Sequence, residues 1–336
     1  MYYYDEYVTI PQRHIWRKKR KYDITNYMNN EKWRIVMKQL QIGISNLSLP
    51  VTIKDVAVPP IKCQGIKTKL VPFIFSNVRW HGQGRWIEPF MGSGVVGFNL
   101  ASEKALFADN NVHIVRFYKD IQVGNITPIN LKEYLQHEGT KLNEIGEEHY
   151  YKIRDRFNNN PNSLDFIFLS RACFNGMMRF NSKGEFNVPF CRKPDRFRQA
   201  YITKIVNQVR WVESIIRDDW SFEAMDWRET LAQAQEGDFV YCDPPYIGRH
   251  TDYYNTWGSK EDEELIEALL NLPCGWALSN WKENKYRKNP LIEKLENMKD
   301  RVVIRTFEHF YHVGAKESNR NEMTEALIIR KGYEVE

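Results

Sequence analysis

From about residue 85 onward, the chain alternates short apolar runs with longer stretches in which apolar residues recur every three or four positions. The short runs, bounded by turn-forming residues, predict strands, and the amphipathic stretches predict helices. The predicted strands are Trp86–Phe90, Ala105–Asp109, Asp238–Cys242, Trp276–Ser279, Val302–Thr306 and Ala326–Ile329. The predicted helices are Val95–Ser102, Asn111–Lys119, Leu131–His137, Glu147–Phe157 and Glu261–Leu270. Strands alternating with helices favour an α/β fold, in which helices cover both faces of a mostly parallel sheet.

This regular pattern breaks in two places. Residues 1–60 form an N-terminal extension that ends in two consecutive prolines. A long polar and aromatic stretch over residues 125–220 contains an Asn-, Gly- and Phe-rich segment, residues 174–192, that is typical of a hairpin. We therefore predict a catalytic domain made of residues 61–124 and 221–336, interrupted by an inserted module.

The composition fits an ordinary globular protein, with 336 residues of which 42% are hydrophobic and 27% charged. No apolar run approaches the roughly 20 residues that span a bilayer, and the first residues lack the apolar core of a secretion signal. The five cysteines are scattered without a C-x-x-C pair, which argues against a disulfide framework and a zinc site. Such cysteine usage indicates a reducing compartment.

The net charge of +5 is concentrated at the start of the chain. Residues 1–40 hold nine basic and four acidic side chains, densest in Arg17-Lys-Lys-Arg-Lys21, whereas the remaining residues are balanced. A basic cluster interleaved with aromatic residues suits a polyanion such as nucleic acid. A solvated leader is the alternative interpretation.

A glycine-rich segment, Glu88-Pro-Phe-Met-Gly-Ser-Gly-Val-Val-Gly97, lies between the first predicted strand and the helix after it. Gly92, Gly94 and Gly97 have the spacing of a nucleotide-binding loop, in which glycine lets the backbone turn tightly and approach a cofactor. Asp109 ends the next strand, where its carboxylate could accept hydrogen bonds from ribose hydroxyl groups. Taken alone, the pattern also fits a dinucleotide-dependent dehydrogenase or a structural turn.

A second motif, Asp243-Pro-Pro-Tyr246, directly follows an apolar strand. Ligands bind at the carboxyl ends of strands in an open α/β sheet. The two prolines fix the backbone and remove two N–H donors, which leaves carbonyl groups as acceptors. A carboxylate, fixed carbonyls and an aromatic ring are the groups that an exocyclic amine on a planar base requires. An ordinary Asp-Pro turn is the structural alternative.

The order of these motifs resembles the Dam-type family of DNA adenine-N6 methyltransferases, which includes modification enzymes of restriction systems. The family has a Lys/Gly motif, an F-x-G-x-G loop, a recognition insert and then D-P-P-Y. Here the first two are Pro60-Ile-Lys-Cys-Gln-Gly-Ile-Lys67 and Phe90-Met-Gly-Ser-Gly94. In the insert, Phe174-Asn-Gly-Met-Met-Arg-Phe-Asn-Ser-Lys-Gly-Glu-Phe-Asn-Val-Pro-Phe190 resembles the family hairpin almost residue for residue. The resemblance covers residues 60 to 331.

The resemblance implies a Rossmann-like methyltransferase sheet with helices on both faces and an inserted target-recognition domain. It also implies S-adenosylmethionine as cofactor and no metal ion. The residues that it places around the cofactor are Lys62, Lys67, Glu88, Phe90, Gly92, Gly94, Asp109 and Asp226. Asp226 matches the acid that meets the cofactor's adenine, and Lys62 and Lys67 match the motif near its methionine moiety. The family's G-G-K is Gly65-Ile66-Lys67 here, so the loop departs from the pattern at one position.

The implied reaction transfers a methyl group to N6 of an adenine flipped out of duplex DNA. The catalytic residues implied are Asp243, Pro244, Pro245 and Tyr246, and the DNA-contacting residues are Arg179, Asn175, Asn187 and Pro189. Tyr246 is expected to stack on the base, Asp243 and the Pro244 carbonyl to accept the N6 protons, and Arg179 to read a guanine. Tyr253, Tyr254 and Trp257 follow the catalytic loop and belong either to the surroundings of the base or to the core.

The implied partner is double-stranded DNA, and a cognate restriction endonuclease acting independently on the same site is a further candidate. The resemblance implies a cytoplasmic, nucleoid-associated protein of a bacterium or phage, without membrane attachment. Three alternatives stay open. The first is a cytosine-N4 methyltransferase, although those enzymes more often carry Ser at the position of Asp243. The second is a ribosomal-RNA adenine methyltransferase, although those enzymes more often carry Asn there. The third is a catalytically silent DNA-binding module. The intact glycine loop and Asp-Pro-Pro-Tyr motif argue against a silent module.

Overall fold

The computed structural model describes residues 55–336 except residues 64, 102, 247–256, 285–287 and 311–321. The described residues lie in the compact unit Asn46–Glu336. Nearly all of the predicted N-terminal extension, with its basic cluster, lies outside the described residues, as do Tyr253 and Tyr254.

Within the described residues, seven strands form one sheet. They are β1 (Trp86–Glu88), β2 (Ala105–Asp109), β3 (Trp220–Ala224), β4 (Phe239–Cys242), β5 (Gly275–Asn284), β6 (Val302–Phe310) and β7 (Glu322–Arg330). Their order across the sheet is β3–β2–β1–β4–β5–β7–β6. The first five strands in that order are parallel, and β7 runs antiparallel between β5 and β6. The strand order reverses between β1 and β4, which opens a crevice at their carboxyl ends.

Ten α-helices accompany the sheet in the part of the chain that the structure describes. They are α1 (Val71–Asn77), α2 (Gly97–Leu100), α3 (Val112–Gln122), α4 (Pro128–Ile145), α5 (Glu147–Asn159), α6 (Ser163–Ala172), α7 (Gln199–Ile215), α8 (Trp227–Leu231), α9 (Ser259–Leu270) and α10 (Pro290–Glu296). Polar caps fix several helix starts: the Asn111 side chain accepts from two backbone N–H groups of α3, as expected for an N-cap asparagine. None of these helices is long and apolar enough to cross a bilayer.

Side chains on the two faces of the sheet enter two separate apolar clusters. Along β4, Phe239 and Tyr241 belong to one cluster and Val240 and Cys242 to the other, because successive strand residues point to opposite faces. All four residues are buried. Central parallel strands that are buried on both faces read as continuous apolar runs, which explains why the sequence predicts β1, β2 and β4.

The α/β sheet predicted from the sequence is confirmed, and each of the six predicted strands overlaps an observed strand. The prediction misses β3, because this edge strand alternates buried Trp220 and Phe222 with the more exposed Ser221 and Glu223 and so lacks the continuous apolar run from which the other strands are predicted. It also misses α6, because nearly every side chain of that helix is buried and no polar face marks a helical period. Helix α2 is shorter than predicted, since the backbone leaves the helix at Ala101.

Between α3 and β3 the chain forms helices α4 to α7 and an irregular hairpin. Isolated bridges join Cys173 to Phe190 and Phe180 to Phe186, which agrees with the hairpin predicted over residues 174–192. Phe180 stacks on His113 of α3 with the ring centroids 5.1 Å apart. The apolar core of these helices is continuous with one face of the sheet. The division into catalytic and target-recognition domains stays a prediction.

Gly97, the third glycine of the glycine-rich segment, is the first residue of α2 and packs directly against the sheet. A Cβ atom there would lie 2.3 Å from Phe107 Cε1 and 2.8 Å from Glu88 Oε1, and both side chains are buried. We expect Gly97→Ala to lower the free energy of unfolding by about 1–3 kcal/mol, because the added methyl group overpacks the core. Chemical denaturation measures this change. The control is Ile129→Ala, at a side chain 72% exposed, which should change stability by less than about 0.5 kcal/mol; equal effects would contradict the close-packing role.

Candidate active site

The functional residues predicted for the catalytic domain gather at the carboxyl ends of the central strands. β1 and β4 are parallel neighbours with Ile87 opposite Val240. Glu88, the last residue of β1, and Asp243, the first residue after β4, therefore leave the sheet at the same edge. β2 ends at the same edge with Asp109. This is the crevice at the reversal of strand order, where ligands bind in open α/β sheets.

Asp109 holds the glycine loop in place. The loop passes through left-handed conformations at Gly92 (φ 46°) and Gly94 (φ 75°), which glycine adopts without steric cost. The N–H of Gly92 donates to Asp109 Oδ2 at 2.9 Å, and the N–H of Asn111 donates to Oδ1 at 2.8 Å. Burial raises the pKa of Asp109 to about 6, and both hydrogen bonds oppose the rise. Its contact with ribose stays a prediction.

Glu88 is a buried acid at the end of β1. It is 2% exposed and accepts a hydrogen bond from the indole Nε1 of Trp86 at 2.9 Å. Burial raises the pKa of Glu88 to about 8, and the Asp243 carboxylate adds to the rise. Glu88 is therefore mostly protonated at neutral pH and adds little negative charge to the crevice. The direct contact of Glu88 with the cofactor stays a prediction.

Lys67, from the N-terminal motif, lies against the Asp-Pro-Pro-Tyr loop. Its Nζ is 2.8 Å from Asp243 Oδ1, 3.1 Å from the carbonyl oxygen of Gly65 and 4.7 Å from the centroid of the Tyr246 ring. Lys67 is only 5% exposed, and a buried ammonium group requires such partners because an unpaired interior charge is costly. The fold therefore brings the motif lysine to the predicted catalytic residues.

Asp243 and Tyr246 occupy a partly dry environment. The Asp243 side chain keeps 21% of its surface accessible. Burial raises the pKa of Asp243 to about 6; the Lys67 ammonium group opposes this rise, whereas the Glu325 carboxylate adds to it. Tyr246 is 8% exposed, and its hydroxyl donates to Glu325 Oε2 at 2.7 Å. At neutral pH an ionised carboxylate therefore lies beside an aromatic ring that is anchored at its far end.

Three aromatic rings meet next to the glycine loop. The Phe90 ring lies 6.4 Å from that of Trp227 and meets that of Trp257 edge-on at 5.4 Å. Trp257, predicted to belong to the surroundings of the base or to the core, packs in this group and against the apolar core. Asp226 caps α8 by accepting the N–H of Arg228 at 2.9 Å, and its side chain is 39% exposed. Phe90 and Asp226, both predicted around the cofactor, therefore both lie next to Trp227, Phe90 through its ring and Asp226 as the preceding residue.

Lys62, the other lysine of the N-terminal motif, lies at the base of the hairpin. It hydrogen-bonds with Tyr201, and its pKa is lowered by burial and by the nearby guanidinium groups of Arg171 and Arg196. Those two arginines also donate to the Tyr201 hydroxyl, at 3.3 and 3.0 Å. These contacts link Lys62 to the insert, whereas Lys67 contacts the catalytic loop. The predicted contact of Lys62 with the cofactor gains no support from them.

The four residues predicted to contact DNA lie in the hairpin. Arg179 is exposed, and its Nε donates to Asn187 Oδ1 at 2.9 Å. The N–H of Asn187 in turn donates to the carbonyl of Arg179 at 3.1 Å. Asn175 is exposed with a left-handed backbone, φ 56°, and the carbonyl of Pro189 accepts the N–H of Phe174 at 2.8 Å. These contacts orient the Arg179 guanidinium; its role in reading a base stays a prediction.

Glu325 is the residue of this site that the sequence pattern does not indicate. It is 2% exposed and precedes the apolar run of β7. A single acid at the start of an apolar strand reads as its solvated end, so the pattern gives no reason to place it inside. The strands that bury it on both sides, β5 and β6, are known only from the fold, so the sequence holds no signal that indicates its burial.

Comparison with known proteins agrees with this geometry. A sequence model of D12 class N6 adenine-specific DNA methyltransferases matches residues 64–318. The type II methyltransferase M1.LlaDCHI of Lactococcus lactis subsp. cremoris is 30% identical over 295 residues, which cover 82% of this chain and 95% of that protein. The DNA adenine methylase of Serratia marcescens is 31% identical over 196 residues, which cover 55% of this chain and 68% of that protein. The retron Ec67 DNA adenine methylase of Escherichia coli is 27% identical over 287 residues, 80% and 90% of the two chains.

The matched range contains the glycine loop, the hairpin and the Asp-Pro-Pro-Tyr motif. The Dam-type resemblance is therefore confirmed, and the specificity of the family for adenine in DNA decides against cytosine and ribosomal RNA as targets. The protein is an enzyme that acts on DNA and uses a methyl donor, which excludes the dehydrogenase and the silent binding module. The chain belongs to the D12 class N6 adenine-specific DNA methyltransferases.

Proposed function

We propose that this enzyme transfers the methyl group of S-adenosylmethionine to N6 of an adenine rotated out of duplex DNA, and that the transfer takes place beside Asp243 and Tyr246. The observation that carries the proposal is the position of Lys67, whose buried ammonium group contacts the Asp243 carboxylate and the Tyr246 ring together. The three groups lie at the same sheet edge as the glycine loop. The base has to leave the duplex, because N6 is paired and inaccessible inside it.

The residues around the glycine loop suit S-adenosylmethionine. Asn111 has a buried side-chain nitrogen, Nδ2, without a hydrogen-bond partner among the described residues, and such a buried donor calls for an explanation such as a ligand. A Cβ atom at Gly92 would meet nothing nearer than Cys63 at 3.9 Å, so the loop leaves space beside its backbone. Phe90 offers an apolar surface for a purine ring, and the exposed Asp226 carboxylate an acceptor for its amine. When bound, S-adenosylmethionine supplies an electrophilic methyl group on a sulfonium.

The chain's own residues act on the nucleophile. Adenine N6 is weakly nucleophilic, because its lone pair is delocalised into the ring. Lys67 holds Oδ1 of Asp243, so Oδ2 and the Pro244 carbonyl accept the two N6 protons and draw the nitrogen toward tetrahedral geometry. The Tyr246 ring supports the base by stacking. Positioning and fixed charges of this kind account for most of the acceleration, and Asp243 takes up the proton that the alkylated nitrogen releases.

We further propose that the enzyme marks one DNA sequence as the modification partner of a restriction system. One relative is named as a type II methyltransferase, and the similarity covers nearly the whole length of that relative. A cognate endonuclease would act independently on the same site. Because the substrate is duplex DNA, the enzyme would act where the cell keeps its DNA, as a cytoplasmic, nucleoid-associated protein.

The proposal is tested by incubating the purified protein with duplex DNA and isotopically labelled S-adenosylmethionine. The expected result is labelled N6-methyladenine within one short sequence context, mapped by sequencing the product. DNA that stays unlabelled, or label spread over all adenines, would overturn the methyl donor or the site-specific role respectively.

Asp243 is expected to be required for transfer and not for cofactor binding. Asp243→Ala removes the acceptor that faces N6, so we expect at least an about 10²–10³-fold loss of single-turnover rate, as for loss of a fixed electrostatic group in other enzymes. The dissociation constant for S-adenosylmethionine should stay within about tenfold, since the glycine loop and Asp109 remain. Turnover close to the wild-type rate would assign the role of Asp243 to another residue.

The rate of methyl transfer should depend on the ionisation of Asp243. Its pKa is raised to about 6, so the rate should be constant above this value and fall about tenfold per pH unit below it, where the carboxylate is protonated. Lys67 lowers the pKa of Asp243. In Lys67→Met the fall should therefore begin at a higher pH. Single-turnover rates across the pH range measure this, and an unshifted profile would contradict the ion pair.

Arg179→Ala should damage sequence choice more than general DNA affinity. A bidentate arginine–guanine contact is worth about 1–3 kcal/mol of discrimination, and Asn187 orients this side chain. Methylation of a randomised duplex library measures the preference directly. Lys183→Ala, at an exposed cation of the same hairpin, is the matched control and should leave the preference intact. Equal loss on every sequence in Arg179→Ala would make Arg179 a phosphate contact.

A further inference from the structure

Glu325 is a buried acidic residue in β7. It lies opposite Trp281 of β5 and Phe307 of β6, in the interior of the sheet, and is 2% exposed. The range matched by the methyltransferase family ends before it, at residue 318. Glutamate is rarely found so deeply buried without a partner, because desolvation of a carboxylate is costly. Its position therefore calls for a specific contact.

That contact is made with the last residue of the Asp-Pro-Pro-Tyr motif. The Tyr246 hydroxyl donates to Glu325 Oε2 at 2.7 Å, and hydrogen bonds to carboxylates are shorter and stronger than those between neutral groups. At its other end the ring is attached to a backbone restricted by Pro244 and Pro245. The Tyr246 ring is thus fixed at both ends, by the sheet and by the prolines.

Lys67 packs over one face of the same ring. Its Nζ lies 4.7 Å from the ring centroid while pairing with Asp243 at 2.8 Å. Because Lys67 covers one face of the Tyr246 ring, a base that stacks on this ring has to use the opposite face. The orientation of the ring therefore decides where the base lies relative to Asp243, and Glu325 sets that orientation.

Glu325 also contributes to the field at Asp243. Among the described residues, the charged and titratable groups around Asp243 are Lys67 before α1, Glu88 on β1, Tyr241 and Cys242 on β4, and Glu325 on β7. Lys67 favours the ionised form of Asp243, whereas Glu325 disfavours it. A change at Glu325 can therefore be read out in the pH dependence of the reaction, independently of its effect on the tyrosine ring.

We propose that Glu325 is a positioning residue for methyl transfer, which acts by holding the Tyr246 hydroxyl and so fixes the ring on which the target adenine stacks. This role rests on the proposed function of the Asp-Pro-Pro-Tyr loop. Glu325 lies beyond the residues that the family model matches. Its role requires the hydroxyl group of Tyr246 as well as the aromatic ring.

A double-mutant cycle tests the coupling. Glu325→Leu and Tyr246→Phe each remove one partner of the hydrogen bond, and each should lower the single-turnover methylation rate about 10- to 100-fold with the dissociation constant for S-adenosylmethionine within about twofold. The double variant should be no slower than the slower single variant, because both changes remove the same contact. Losses that multiply in the double variant, or no loss in either single variant, would overturn the proposal.

Spectroscopy separates positioning from folding. With 2-aminopurine in place of the target adenine, fluorescence rises on base flipping and is quenched by stacking on an aromatic ring. Both single variants should flip the base and quench it less than the wild type. Unchanged quenching would overturn the role of Glu325 even if the rate falls.

The conservative variant Glu325→Gln covers the case in which the leucine variant does not fold. Its amide oxygen can still accept from the Tyr246 hydroxyl, so it should recover most of the rate that Glu325→Leu loses. It removes the negative charge, so the acidic fall of the pH–rate profile should begin at a lower pH than in the wild type. Glu138→Gln, at a buried glutamate of α4 bonded to His149, is the matched control and should not shift the profile. A Glu325→Gln rate as low as that of Glu325→Leu would overturn the proposal, and a profile that coincides with the wild type would overturn the contribution of Glu325 to the field at Asp243.

The outcomes distinguish this role from the function on which it rests. If the wild-type enzyme transfers no methyl group to adenine, the proposed function fails and no cycle can be built. If the wild type is active and the losses at Glu325 and Tyr246 multiply, the proposed function stands and the role of Glu325 alone is wrong.

Discussion

The parallel pairing of β1 with β4 is the constraint on which the candidate active site depends. These two strands are neighbours in the sheet although the whole insert separates them in the chain. Their amino-terminal ends are fixed by Asp238, whose Oδ1 accepts the N–H of Arg85 at 2.7 Å and whose Oδ2 pairs with the Arg85 guanidinium at 2.9 Å. Gly84 packs so closely on Asp238 that a Cβ atom would lie 2.4 Å from its carboxylate. With the register fixed at that end, the glycine loop and Asp243 emerge side by side at the other.

The second requirement is a charged carboxylate in a partly dry crevice. Burial disfavours the ionised form of Asp243, and the ammonium group of Lys67 favours it. Removing one partner of a buried ion pair typically costs about 3–5 kcal/mol, so the two residues depend on each other. Because Lys67 precedes α1 and Asp243 follows β4, the pair also ties the N-terminal motif to the centre of the sheet. The Lys67–Asp243 ion pair therefore favours the ionised form of Asp243 and also connects the N-terminal motif to β4.

The sequence predicts the central strands and the catalytic motif, because both are encoded locally. β2 and β4 are continuous apolar runs, and two prolines after an aspartate are readable without any tertiary information. β3 and α6 escape prediction for opposite reasons: the edge strand is partly polar, and the buried helix has no polar face. Long-range pairing is not encoded locally either. Nothing in the pattern around Lys67 indicates that it contacts Asp243, and nothing around Glu325 indicates Tyr246.

The acids around Asp243 show why such contacts matter for function. Glu88 is mostly neutral at pH 7, because burial raises its pKa to about 8, so its carboxyl group can lie near Asp243 without full charge repulsion. Among the described residues, Lys67 pairs with Asp243 and favours its ionised form, whereas Glu325 on β7 disfavours that form. Asp243 therefore keeps its charge at neutral pH because a cation contacts it directly and one of the neighbouring acids is neutral. Contacts between residues far apart in the chain thus set the charge of the residue that follows β4, which no local pattern encodes.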